Sequence, residues 1–99
     1  MPIYFFAAIN RKDLDLYARY EEVGFQSIEK YGIECLAVSD SPRAIEGDVP
    51  AQRIILLRFE NQAALQEWYL SPEYQQAIPL RHGSADTSFI FSFEGLSEK

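Results

Sequence analysis

The chain has 99 residues, 47% hydrophobic and 14% aromatic, which suits one hydrophobic core and argues against disorder. Nine Lys and Arg against fifteen Asp and Glu leave a net charge of −6, unlike a surface that tracks nucleic-acid phosphates. No apolar run approaches the roughly 20 residues of a membrane span, the opening MPIYFFAAIN lacks a signal peptide's basic start, and the lone Cys35 suits a reducing cytoplasm.

Residues 2–10, rich in Ile, Tyr, Phe and Ala, read as a buried strand. From 13 to about 31 the period becomes helical, with Leu14, Tyr17, Tyr20, Gly24, Ile28 and Tyr31 on one face. Asp13 is placed to cap the first turn and Gly32 to close the last. Residues 33–39 make a second strand. Residues 40–52, with two prolines and a glycine, make a long hairpin loop. Residues 53–59, RIILLRF, form a third strand of central character. A second helix opens at Asn61 and turns Ala64, Leu65 and Trp68 inward. Ser71-Pro72 restarts it as a short piece that Pro79 stops or kinks. Residues 87–94, TSFIFSFE, are the last strand, and 95–99 a frayed tail.

The order is β-α-β twice over, which matches an α+β ferredoxin-like βαββαβ unit: a four-stranded antiparallel sheet with both helices on one face. A single domain is expected over 1–99, with a structured core of about 2–95. Its uncovered sheet face should be polar. The first strand instead alternates Ile3, Phe5, Ala7 and Ile9 with Tyr4, Phe6 and Ala8, and the third sets Ile55, Leu57 and Phe59 against Ile54 and Leu56. Only the last strand shows contrast, Phe89, Phe91 and Phe93 against Ser88, Ile90 and Ser92. An apolar face of several hundred Å² needs a cover. At about 25 cal/mol per Å², hiding it is worth on the order of 10 kcal/mol before association costs. The expected cover is a second copy of the chain, sheet to sheet about a two-fold axis. The competing reading is an open apolar cleft for a lipid-like ligand.

The segment Trp68-Tyr69-Leu70-Ser71-Pro72-Glu73-Tyr74-Gln75 closely resembles the W-Y-x-S-P-E-Y-Q string of a bacterial family known as domain of unknown function 1330. Tyr17 with Tyr20, Tyr31-Gly32, Glu46-Gly47, Arg53, Phe59, Ala64, Arg81 and Ala85 fit the same pattern, so the resemblance spans residues 3–95. Where the family usually has an acidic or amide residue after Arg81, this chain has His82. The resemblance implies a dimeric α/β barrel, in which two ferredoxin-like subunits join their sheets. That superfamily includes cofactor-independent monooxygenases, isomerases, dehydratases and stress-induced proteins, so it implies a cavity between helices and sheet but no particular reaction.

Among chemical candidates, His82 is the only histidine and a possible base, set against a surface or helix-capping role. Cys35 lies among apolar residues, where a cysteine usually acts as a small hydrophobe. Far from His82 in sequence, it offers no metal spacing, and no cofactor motif is present. Arg58, charged within an apolar strand, either meets a carboxylate such as Glu60 or holds an anionic ligand. Arg81 and Glu46 either bridge loop to helix or form an acid and anion-holder at a cleft mouth. Tyr17, Tyr20, Trp68, Tyr69 and Tyr74 either pack as helix stripes or line a pocket for a planar molecule.

The leading expectation is a cytoplasmic homodimer binding a small organic ligand between helices and sheet, without nucleic acid, membrane, metal or cofactor. Its ligand-facing candidates are Tyr17, Tyr20, Arg58, Trp68, Tyr74 and Arg81. The alternative is a cofactor-independent monooxygenase or isomerase acting on an aromatic or quinone-like substrate, with His82 or Glu46 handling the proton. A third reading is a structural or regulatory dimer with no ligand. Whether the chain is an enzyme stays open at this level.

Overall fold

Eight elements make up the computed structural model, which describes residues 1–97. They are β1 (Ile3–Arg11), α1 (Leu14–Lys30), β2 (Glu34–Ser39), β3 (Arg53–Phe59), α2 (Gln62–Tyr69), α3 (Pro72–Gln75), α4 (Ile78–Ser84) and β4 (Ala85–Glu94). The strands form one antiparallel sheet in the order β2-β3-β1-β4, the ferredoxin-like arrangement. No helix among the described residues is long and apolar enough to cross a membrane.

Local chemistry sets the ends of each element. Asp13 accepts a hydrogen bond from the Leu16 amide, and Asn61 one from the Ala64 amide, so each caps orphan donors of a first turn. At the end of α1 the Ile33 amide reaches Ile28 O at 3.0 Å and the Gly32 amide reaches Glu29 O at 3.1 Å. That paired closure needs a left-handed residue between, and Gly32 supplies it with φ +66°. Two expectations need correction beyond a residue or so at strand ends. The short piece begun at Ser71-Pro72 does end before Pro79, at Gln75, but Pro79 is not what bounds it from within: it sits in the first turn of a further helix, α4, where its missing N–H costs nothing. The tail does not fray at once, since the Gly95 amide bonds Pro2 O at 2.8 Å; positions 98–99 lie outside the described residues.

The two sheet faces differ in what covers them. Ile3, Phe5, Ala7 and Ile9 of β1, with Ile55, Leu57 and Phe59 of β3, are buried in one cluster with Tyr17, Tyr20, Leu65, Trp68 and Tyr74 from the helices. The opposite face carries Tyr4, Phe6, Leu56 and, in register beside them, Phe89, Phe91 and Phe93. Rings run along it as a ladder: Phe6 lies 5.4 Å from Phe91 and 5.9 Å from Phe89, and Tyr4 lies 5.6 Å from Phe93. The β4 phenylalanines are 41–47% exposed. With extents of 40 × 38 × 16 Å the chain is a slab only one helix layer and one sheet thick, so nothing within it covers this face. The second strand is the edge strand β2. Cys35 is exposed there, not packed among hydrophobes as its neighbours suggested.

A β-bulge decides which side of β4 faces where. Ile9 pairs with Thr87 but Ala8 pairs with Phe89, so β4 carries one extra residue at this step. Strict alternation would put Thr87 and Phe89 on one side. The bulge instead sends Thr87 to the helix side with Ile9 and leaves the phenylalanine row on the bare side with Ala8.

Beyond its own chain neighbours, no atom lies within 4 Å of where a Cβ on Gly32 would sit, so Gly32→Ala meets no tertiary clash and its cost is conformational. Urea denaturation should show a loss of about 1 kcal/mol.

Candidate functional site

The octapeptide at 68–75 ties the helix layer together, each polar group with a definite partner. Trp68 Nε1 donates to Ser27 Oγ at 2.9 Å, and Ser27 in turn donates to Gly24 O, so a buried indole finds its acceptor on α1. Ser71 Oγ donates to Trp68 O and accepts from the Tyr74 amide, turning the chain from α2 into α3, which Pro72 then starts. Glu73 takes Lys30 and the Tyr31 hydroxyl from the end of α1. Gln75 returns to Tyr69 O at 2.6 Å.

Tyr74 is the centre of a buried polar chain. Its hydroxyl lies 2.9 Å from that of Tyr20 and accepts from Arg81 Nη1 at 2.7 Å. The guanidinium also rests 5.6 Å from the centre of the Tyr20 ring, a cation–π contact. Tyr17 stacks beside Tyr20 at 5.2 Å, and Trp68 lies 4.2 Å from Tyr74. Burial, reinforced by the neighbouring Tyr20, pushes the Tyr74 phenol well above its ordinary value; burial, then Tyr20 and Glu21, does the same to Tyr17. Both are neutral phenols at physiological pH and poor bases. Arg81 is 4% exposed and is the one buried charged residue among those described.

Beside this cluster lies a groove of about 780 Å³, open to solvent, between α2, α4 and β4. Phe5, Leu65, Tyr69 and Ile90 give it apolar walls, and Arg81, His82, Asp86 and Thr87 give it polar ones. Arg81 Nε and Thr87 Oγ1, both from groove residues, are buried without a hydrogen-bond partner. Asp86 is engaged by Lys12 at 2.9 Å.

The sequence candidates fall into three sets. Tyr17, Tyr20, Trp68, Tyr74 and Arg81 come together, the aromatics mostly as core stripes with Arg81 at their rim. His82 is exposed in the last turn of α4 and lines the groove with Arg81. Arg58 and Glu46 lie apart from it. Arg58 sits opposite Tyr4 on the bare sheet face and approaches Glu34, rather than Glu60, at 3.8 Å. Glu46 is exposed in the β2–β3 loop and does not line the groove. The expected Glu46–Arg81 bridge is replaced by the Tyr74 bond. That loop is held instead through Asp40, which meets Arg53 at 2.7 Å and Arg11 at 3.1 Å, while Arg53 also grips Glu21.

Sequence reasoning missed Thr87 and Ser27. Thr87 reaches the groove through a bulge that leaves no mark in composition. Ser27 was legible only as a polar residue within an apolar helix stripe, facing the one tryptophan. Among the described residues no cluster of three His, Cys, Asp or Glu could hold a metal.

Tyr74→Phe strands the partners on both sides of its hydroxyl and should cost about 1–3 kcal/mol in urea denaturation. The pH dependence has a fixed sign. A phenol whose folded pKa is raised contributes stability in full below its ordinary value of 10.0 and loses it as pH rises toward the folded value. Wild-type stability should therefore fall above pH 10.0, and less steeply in Tyr74→Phe.

Comparison with solved structures gives the same fold at low identity. A protein of unknown function from Rhodopseudomonas palustris, RPA0582, superposes with TM-score 0.80 and 16% identity over 98% of this chain and 84% of that one. A protein of unknown function from Bacteroides fragilis, described as dimeric and ferredoxin-like, gives 0.66 at 11% identity, covering 95% and 96%. SnoaB, a cofactor-independent oxygenase from Streptomyces nogalater, gives 0.62 at 10% identity, covering 98% and 95%. No curated protein matches the chain. The model of the family described as Domain of unknown function (DUF1330) matches residues 2–95, and to that family the chain belongs.

Proposed function

We propose that the protein is a cytoplasmic homodimer that binds a small organic molecule in the groove between α2, α4 and β4. The groove carries this reading. Its volume of about 780 Å³ falls in the range typical of small-molecule sites, and its walls combine apolar side chains with a few polar groups. A dimer without any ligand would favour a filled interior at this place.

The bare aromatic face supports the self-association. Phe89, Phe91 and Phe93 on an edge strand would be an aggregation hazard in a lone chain. A two-fold partner set sheet to sheet hides all three at once. The Bacteroides fragilis neighbour, described as dimeric, favours the same arrangement.

A second reading, cofactor-independent oxygenation or isomerisation of an aromatic or quinone-like substrate, has one specific support. His82 shares the groove with Arg81, so a base stands beside a cation suited to hold a developing negative charge. The fold shared with SnoaB is compatible with it.

Light scattering should give a particle of twice the 11.4 kDa chain mass, and Phe91→Glu should return the single-chain mass. Thermal-shift screening with aromatic acids and quinones should raise Tm by several degrees at saturating ligand, an effect lost in Ile90→Trp, which fills the groove. On the oxygenase reading, oxygen uptake with an electron-rich hydroquinone should fall about 10²-fold in His82→Ala. A hit that stabilises without turnover leaves binding as the function.

A further inference from the structure

We infer that the groove is completed by the partner copy, so that a groove ligand and the second chain bind with positive cooperativity through a residue they share, Phe91. This rests on both parts of the reading above, the ligand groove and the sheet-to-sheet dimer.

The register assigns the residues of β4 to sides. Ile90 and Ser92 pair with Ala7 and Phe5 on the helix side, while Phe89, Phe91 and Phe93 pair with Ala8, Phe6 and Tyr4 on the bare side. A groove confined to the helix side would stop at Ile90 and Ser92, yet this one is bordered by Phe91 as well. β4 is an edge strand, so no further strand closes the sheet there and the groove reaches round the open edge. Phe91 is also the middle ring of the bare row, 5.4 Å from Phe6, 5.5 Å from Phe89 and 5.9 Å from Phe93. It is 47% exposed, so in a lone chain this wall of the groove stands half in water.

Charge and size point to a second copy as the cover. In the rows Ile54–Ala8–Phe89, Leu56–Phe6–Phe91 and Arg58–Tyr4–Phe93, with Ser39, Ala37 and Glu34 of β2 beside them, the charged residues are Arg58 and Glu34. Their signs are opposite, so the face is neutral on a chain of net charge −6. Two copies can meet there without bringing like charges together, and a strongly charged partner finds no field to match. Strands of six to ten residues, at about 3.3 Å per residue and about 4.8 Å between strands, make a face of about 500 Å². A pair of such faces buries about 1,000 Å², the lower bound of a specific interface.

A copy seated on the row does not fill the groove, because its apolar walls Phe5, Leu65 and Ile90 belong to the helix side. Packed sheets lie about 10 Å apart, so the partner's side chains hold the Phe91 ring from the bare side. Fixing that half-exposed ring costs its freedom once. Whichever of ligand and partner binds second meets a wall already ordered and partly dried. Linkage makes the effect reciprocal: the ligand tightens the dimer by the factor by which the dimer tightens the ligand.

The intact protein is sedimented over a dilution series with and without saturating 2-naphthol, a flat neutral probe. Groove occupancy is followed by NMR at the Ile90 methyls. 2-Naphthol should shift Ile90 and lower the dimer dissociation constant about 10-fold. Phe93→Leu, a change in the row away from the groove, should weaken the dimer yet keep that response. Phe91→Leu leaves the face apolar and should cut the response below about 2-fold; a full response in this variant would remove Phe91 as the link. If Ile90 shifts and the dimer forms but its dissociation constant does not change, the cooperativity is refuted while the groove and the dimer both stand. An unmoved Ile90 sinks the groove reading, and a single-chain mass at every concentration sinks the dimer; either one takes the linkage with it.

Discussion

A sheet has two faces, and one layer of helices covers one of them. In this chain both faces are apolar, so the architecture is settled on one side and incomplete on the other. The covered side is filled by rings from α1, α2 and α3 that join the buried residues of β1 and β3 in one cluster. The bare side carries a phenylalanine row on the edge strand β4, and there a polar surface would be the ordinary solution for a lone subunit. The groove and the bare face share that strand. Thr87 and Ile90 line the groove while Phe89 and Phe93 belong to the bare face, because the bulge reverses the order of sides between Thr87 and Phe89.

The covered side holds a second tension, between burial and charge. Tyr20 and Tyr74 bring hydroxyls into an aromatic cluster, and Arg81 gives the Tyr74 hydroxyl a donor. The phenols in turn give the guanidinium polar and π contacts, but no negative charge. Such a network satisfies most of its own hydrogen bonds and leaves Tyr17 Oη and Arg81 Nε buried without a partner. The specificity of the 68–75 segment follows from this. Trp68, Ser71, Glu73 and Tyr74 each reach a different point of the helix layer, so exchanging any one of them would unfasten a different joint.

Much of this was legible in the chain itself. The two periods marked strands and helices, Asp13, Gly32, Asn61 and Ser71 marked their ends, and the greasy central strands told of two apolar faces. Tyr17, Tyr20 and Trp68 could be placed on inward helix stripes. The site was less legible for two physical reasons. Pro79 carries opposite meanings at the first turn and the interior of a helix, and reading it as a stop or kink hides the helix that holds Arg81 and His82. The bulge in β4 depends on pairing with β1, a partner more than seventy positions away, and so leaves no local trace. Arg81 was accordingly matched to Glu46, a residue it does not meet, and Thr87 was passed over.

The junction between β1 and α1 ties down one bank of the groove. Ser84 O, where α4 gives way to β4, receives the amides of both Lys12 and Asp13 at 2.8 and 3.0 Å. Swinging α4 outward would break both bonds together and uncover the α1 cap. Arg81, three residues earlier, therefore rides on an anchored stretch of backbone, while the facing bank carries the half-buried ring of Tyr69, held by no such pair of bonds.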